Sequence, residues 1–263
     1  MKREAIFGVG LCFVLSVMAG SALAQDFQRT YPLGPGARIT VNNVSGDIVV
    51  SGYQGQDIQV VAFKEGPDRD MVQIEDQASA QELSLRPRYP QGTSCNASVR
   101  FEIKVPRDLN LNFDSLSNAS GDISVEGVTG TVRLHTASGD VAVRQVEGGV
   151  DASSASGDVT VQGVVGMVSA STASGDVEVE LLRQVGGTEM RFSSASGDVV
   201  VRAPRELDAD VEMSTASGSL QTDFPLAVED RKGGHGRKAA GRLGMGSCQL
   251  KLSTASGSVK LIR

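Results

Sequence analysis

An all-β fold, a parallel β-solenoid (β-helix-like) of about 18-residue two-strand rungs with an N-terminal β extension, is what this sequence predicts, and three observations predict it. First, the tripeptide Ser-Gly-Asp or Ser-Gly-Ser recurs with its glycine at Gly46, Gly121, Gly139, Gly157, Gly175, Gly197, Gly218 and Gly257, at intervals of 75, 18, 18, 18, 22, 21 and 39 residues. Second, the residues after each glycine alternate between apolar and polar, the period of a strand with one buried face. Third, aromatic residues are 4% of the chain, Trp is absent and Gly numbers 31. That composition suits a narrow prism of Val, Ile, Leu and Ala rather than a core built around large rings.

The first residues read as an export signal. Lys2 and Arg3 precede an apolar run from about Ala5 to Ala19, and Ala22-Leu23-Ala24 fits the small-x-small rule for signal peptidase. Residues 1–24 are therefore expected to be removed, leaving Gln25 first. The run is too short for a membrane span, and Cys12 lies inside it rather than at its end, where a lipid-attachment cysteine would stand. Cleavage takes away Lys2, Arg3 and Glu4, a net +1, so the formal charge moves from −6 to −7. A negative balance argues against nucleic acid as a general partner.

Residues 25–115 form an N-terminal β region holding the first repeat copy. After it, residues 54–115 interrupt the repeat with alternating stretches (Ile58, Val60; Leu83, Leu85; Val99, Phe101, Ile103, Val105) and a break at Pro106. These are expected to be cap strands, because a solenoid has to cover its open end.

Residues 116–263 carry the remaining copies. Two residues after the corner glycine stand Ile48, Ile123, Val141, Val159, Val177, Val199, Leu220 and Val259; two further on stand Val50, Val125, Val143, Val161, Val179, Val201, Thr222 and Leu261. A second strand leads toward each corner, with Val132 and Leu134, Val150 and Ala152, or Val168 and Ala170 pointing inward. One such unit cannot bury its apolar edge, but stacked copies make a continuous core. The longer intervals read as the same unit with a loop insertion. Residues 225–247, with Arg231, Lys232, Arg237, Lys238 and Arg242 among glycines, read as a flexible, exposed basic loop.

The corner has its own chemistry. Gly accepts the positive φ of a reversing chain, and the flanking Ser and Asp can cap turn amides. Just before each corner stand Asn43, Asn118, Thr136, Ser154, Thr172, Ser194, Thr215 and Thr254, which are expected to form a ladder of hydroxyls and amides bonded to their neighbours above and below.

Repeated Ala-Ser-Gly-Asp-Val units after a Val-Pro-Arg-Asp-Leu segment (Val105 to Leu109), with a terminal Leu-Ser-Thr-Ala-Ser-Gly-Ser-Val-Lys-Leu, resemble the bacterial family of adhesin-type proteins with β-strand repeats, domain of unknown function 4097. The resemblance covers nearly all of the chain beyond residue 24 and implies a β-solenoid at a cell envelope. It carries no catalytic residues.

Candidate sites are few. The aspartate column (Asp47, Asp122, Asp140, Asp158, Asp176, Asp198) invites a Ca²⁺ reading. However, calcium β-rolls place Gly-Asp in every nine residues, whereas here there is one per rung, and Ser219 and Ser258 replace Asp in the last two copies. Turn capping is preferred, and no metal or cofactor is expected. His135 takes a position held by Ser in other copies, and His235 sits in the basic loop; neither has a nucleophile motif around it. No catalytic residue is assigned, and a β-helical carbohydrate-active enzyme is the alternative. The basic loop could touch anionic envelope polymers but reads first as a solvated loop. Asn-x-Ser matches occur at Asn43, Asn96 and Asn118, two of them by-products of the repeat. Cys95 and Cys248 lie several rungs apart, beyond disulfide reach, unless residues 54–115 fold back. The expectation is a periplasmic or extracellular, non-enzymatic scaffold with an unknown envelope or surface ligand, protein or polysaccharide.

Overall fold

The computed structural model describes residues 26–183, 189–230 and 236–263. The expected leader and Arg231, Lys232 and His235 lie outside the described residues. Strands are numbered along the chain. The strand after each corner glycine contributes to one sheet: β3 (Ile48–Tyr53), β9 (Ile123–Glu126), β11 (Val141–Arg144), β13 (Val159–Val165), β15 (Val177–Arg183), β17 (Val199–Arg202), β19 (Leu220–Thr222) and β23 (Val259–Ile262). The strand leading into each corner contributes to the other: β2 (Arg38–Ser45), β8 (Asn110–Ser120), β10 (Thr129–Ser138), β12 (Val150–Ser156), β14 (Val168–Ser174), β16 (Glu189–Ser196), β18 (Ala209–Ser217) and β22 (Cys248–Ser256). Each rung is thus a pair of short strands, one per sheet, joined at the Ala-Ser-Gly corner.

Equivalent residues of successive rungs pair in parallel and in register: Val141 with Val159, Val159 with Val177, Val177 with Val199. The alternation expected from the sequence sets which face is buried. Ile123, Val141, Val159, Val177, Val199 and Val259 are all 1% exposed or less. On the opposite sheet Val132, Leu134, Val168 and Ala170 are buried too.

Three expectations are corrected. The interior does hold large rings: Phe101, Phe113 and Phe192 are fully buried. Phe192 fits because its register neighbour in the rung below is Ala170, with Ala152 beneath that. Rung by rung, the volume changes while the column stays filled. The basic segment 225–247 is not a featureless loop. It contributes β20 (Ala227–Asp230) and β21 (Arg237–Leu243), and β21 runs antiparallel along β18, which lacks a rung on that side. Finally, the rungs do not stack in chain order: β22 lies between β16 and β18, and β23 lies between β17 and β19. The 39-residue interval before Gly257 is therefore a detour as well as an insertion.

At the other end, β7 (Ser98–Pro106) lies parallel to β3, with β4 (Ile58–Glu65) and then β1 (Phe27–Tyr31) antiparallel beyond it. On the second sheet β6 (Glu82–Arg88) lies parallel to β2, and β5 (Gln73–Ala78) runs antiparallel outside it. The two outermost strands are latched across the sheets. The Arg29 guanidinium donates to both Asp76 oxygens at 2.8 and 2.6 Å, and the Tyr31 hydroxyl donates to Asp76 Oδ2 at 2.7 Å. Burial would raise the Asp76 carboxyl, but the Tyr31 hydroxyl and the Arg29 guanidinium outweigh it and hold the group below its ordinary value. Asp76→Ala is expected to cost about 2 kcal/mol at pH 7, the worth of the lost charge-assisted bonds. A carboxyl with a depressed folded-state pKa stabilises above its unfolded value and loses that contribution as pH falls through the folded one. The gap between wild type and variant, read from urea midpoints, should therefore shrink below about pH 4.

Candidate binding surface

The corner is a stack of three interlocking hydrogen-bond columns. In the first, corner glycine N–H groups donate to the serine carbonyl of the next rung, as in Gly139 to Ser156 at 3.0 Å and Gly157 to Ser174 at 2.9 Å. The second is the buried hydroxyl column, and it differs from the expected ladder. The side chains do not bond to one another. Each donates to the corner-glycine carbonyl of the rung before it: Ser154 to Gly139, Thr172 to Gly157 and Ser194 to Gly175, each at 2.9 Å. A hydroxyl facing a bare carbonyl satisfies both groups, so side-chain contact along the column is unnecessary. Asn118 plays the same part with its amide, donating to Gly46 O at 2.7 Å, and Asn43 donates to Gly46 O and Val99 O, both at 2.8 Å. Two of the three Asn-x-Ser asparagines are thus buried with Nδ2 engaged, and Asn96 alone of the three is exposed.

The aspartates form the third column. Asp122 Oδ1 accepts the N–H of Asp140, Asp140 that of Asp158 and Asp158 that of Asp176, all at 2.8 Å; Asp176 accepts that of Asp198 and Asp198 that of Ser258, both at 2.7 Å. Each carboxylate caps the amide of the following rung, not of its own turn. Ser258 can end the series because it needs only to donate its N–H. In the final step Ser219 meets Ser258 hydroxyl to hydroxyl at 2.9 Å. One oxygen of each aspartate is committed to the fold. Outside this column run exposed alanines (Ala137, Ala155, Ala173, Ala195, Ala255) and exposed serines (Ser138, Ser156, Ser174, Ser196, Ser256).

The remaining candidates are placed elsewhere. His135 is exposed on the outward face, with Nδ1 3.0 Å from Ser153 Oγ, and no carboxylate stands beside it in that contact. Two cations of the 225–247 segment face acids on β18: Arg242 bonds Asp210 at 2.7 and 3.1 Å, and Lys238 pairs with Glu212 at 2.8 Å. At these two positions the positive charge is neutralised within the fold. Cys95 and Cys248 are in no disulfide; burial pushes the Cys248 thiol up, with Asp208 and Asp210 adding to the shift. Solvent cavities of about 330, 250 and 270 Å³ lie on the surface of the described residues. The cavity of about 330 Å³ is lined by the β18–β21–β22 charges, including Asp210, Glu212, Lys238 and Lys251. Among the described residues no three His, Cys, Asp or Glu side chains converge as a metal site would require. Among them, too, no helix is long and apolar enough to cross a membrane, which says nothing of spans built from strands.

The Toastrack family, DUF4097, matches residues 32–262, which takes in every rung of both sheets. The chain belongs to that family. Toastrack proteins share a β-solenoid-like fold, in agreement with the stacked rungs described above. Similar solved structures include a candidate adhesin from Bacteroides fragilis, 16% identical with a TM-score of 0.43, over 89% of this chain and 96% of that one. A candidate lipid binding protein from Parabacteroides distasonis is 17% identical with a TM-score of 0.41, over 90% of this chain and 96% of that one. A candidate cell adhesion protein from Clostridium sporogenes is 10% identical with a TM-score of 0.35, over 90% of this chain and 98% of that one. No curated protein matches the chain.

The corner was legible as a recurring motif. What sequence reasoning missed was the direction of each bond. The shared 18-residue offset of hydroxyl, glycine and aspartate pointed to stacking, but not to which partner lay in which rung.

Proposed function

We propose that this Toastrack protein is an exported, non-enzymatic scaffold of the bacterial cell envelope that binds a surface ligand, protein or polysaccharide, through its repeating corner. Adhesion or envelope-stress sensing are roles such a scaffold fits. The supporting observation is the aspartate column: six carboxylates one rung apart, each with one oxygen bound inside the fold and a charge left at the surface beside exposed alanines and serines. At a rung spacing of about 4.8 Å such a column presents one weak contact many times over, so affinity comes from avidity rather than from a deep pocket. A β-helical carbohydrate-active enzyme would need acid and base side chains converging in a groove, and the charges lining the cavity beside β18 are engaged in ion pairs, Glu212 with Lys238, Asp210 with Arg242 and Lys251 with Glu189.

Asparagine keeps the oxygen that accepts the next rung's N–H while removing the charge. The triple substitution Asp140→Asn, Asp158→Asn, Asp176→Asn is therefore expected to leave the thermal midpoint nearly unchanged, since neighbouring carboxylates repel by only about 1 kcal/mol in water before screening. Binding to isolated envelope fractions should weaken by about tenfold or more. Undiminished binding would move the site away from the corner, and wild-type protein that binds no envelope fraction would sink the scaffold reading. Thermal unfolding followed by circular dichroism is expected to be the same with calcium and with EDTA, because the carboxylates already have amide partners. A large loss of stability in EDTA would make the column a cation site instead.

A further inference from the structure

The last rung in the chain is not the last rung in space. After β17 the chain lays down β18 and β19, turns out to β20 and β21 on the far side of β18, and then returns to place β22 and β23 between rungs already made. The return path is Gly244-Met245-Gly246-Ser247, which crosses the start of β18, because β21 and β22 flank that strand on opposite edges. Gly244 and Gly246 take φ of +63° and +73°, and Met245 is 87% exposed. One residue fastens this crossing. Asp208 Oδ1 accepts the N–H groups of Met245, Gly246 and Ser247 at 2.6, 2.7 and 3.3 Å, and the Ser247 hydroxyl donates to the Asp208 carbonyl at 3.0 Å.

The slot that receives residues 248–263 has walls of the ordinary rung pattern. On one side Thr254 donates to Gly197 O at 2.9 Å and Asp198 accepts the Ser258 N–H at 2.7 Å. On the other, Thr215 donates to Gly257 O at 3.0 Å. Cys248, Leu250, Leu252, Val259 and Leu261 fill the interior between those walls. None of these contacts depends on which chain supplies the rung. Residues 248–263 supply both strands of that rung, β22 and β23, in one continuous segment. Without it, β18 and β19 carry the same donors and acceptors toward β16 and β17, which leaves the terminal rung with its apolar face in search of an equivalent slot.

We propose that residues 248–263 are an exchangeable rung, and that two copies of this chain form a dimer by each inserting that rung between β16–β17 and β18–β19 of the other. Reciprocal exchange reproduces every buried contact of the monomer and changes only residues 244–247. Those residues and the steps beside them can extend to about 17 Å, and their two glycines adopt an open conformation without steric cost. Within one chain the rung sees its own slot at an effective concentration of about millimolar, so dilute folding favours the monomer and concentrated folding favours exchange.

Ser193 and Ser253 are register partners on the outward face and report the origin of the rung. Chains carrying Ser193→Cys and chains carrying Ser253→Cys would be unfolded, mixed, refolded at about 1 μM and about 1 mM, oxidised, and mapped by mass spectrometry. The expected result is a disulfide between positions 193 and 253 of different chains at the higher concentration, in a dimer that survives dilution. The yield should rise several-fold when both chains also carry Asp208→Ala. Wild-type protein, refolded in parallel and sized by gel filtration, should show the same concentration-dependent, dilution-resistant dimer. The idea is overturned if the wild type stays monomeric at both concentrations. It is overturned equally if a dimer forms with no 193–253 link between chains.

Discussion

Gly157→Ala is expected to destabilise the protein by about 3–4 kcal/mol, with the urea midpoint falling accordingly. Gly157 has φ of +147°, and a Cβ there would sit 2.1 Å from the carbonyl oxygen of Gly139 in the neighbouring rung. That oxygen belongs to a rung held by Ser154, and its strand β11 pairs in register on both sides, so it cannot retreat without breaking the column. Gly163 makes the control. Its φ is +68°, and its nearest neighbour would stand 3.4 Å from a new Cβ. The equivalent position one rung earlier is already a side-chain residue, Gln145, at φ of +53°. Gly163→Ala should therefore cost only about 1 kcal/mol, the ordinary penalty of a left-handed residue. If the two substitutions cost the same, the close approach of successive corner carbonyls is not what demands glycine.

Phe192→Ala is expected to cost about 4 kcal/mol, because it leaves a ring-sized cavity between rungs that cannot collapse without pulling two sheets together. Phe192 is fully buried, with Ala170 below it in the register and Leu252 above. The arrangement suggests its own rescue. Moving the ring one rung down, in the Ala170→Phe, Phe192→Ala double variant, refills the same stretch of interior from a neighbouring position. It should recover about half of the loss in the urea midpoint, and the remainder reflects imperfect repacking. A double variant worse than the sum of its singles would show that the interior has a fixed size at each rung instead of sharing volume along its axis.

Much of the fold was readable before any coordinates, and the reason is local. The alternation in Val-x-Val after each corner decides which side chains face inward, since a strand has a period of two. The 18-residue offset between Gly121, Gly139, Gly157 and Gly175 decides that equivalent residues meet. The candidate surface was legible to the same depth: the aspartates could be placed in one column and read as caps. The amide each one caps, in the following rung, could not be told. The buried rings of Phe113 and Phe192 were missed because volume is shared between residues distant in sequence. The strands β20 and β21 were missed because a basic, glycine-rich segment shows no alternation. What pairs it is the open edge of β18 and the acids Asp210 and Glu212 facing it.

The sequence by itself determined the rung: its two strands, its glycine corner, its hydroxyl and carboxylate columns and its inward faces. These depend on contacts that recur at every step, so one repeat contains the information for all. Only the tertiary structure decided the order of the rungs and the closure of the ends. Because the rungs of β19 and β23 both carry Ser at the corner and offer β17 the same donors and apolar surface, local chemistry does not distinguish them as its partner. The choice falls to the chain's path through β20, β21 and the Asp208-held crossing, and at the far end to a latch between Arg29 and Asp76, 47 residues apart. Such single long-range contacts have no periodic signature in a sequence.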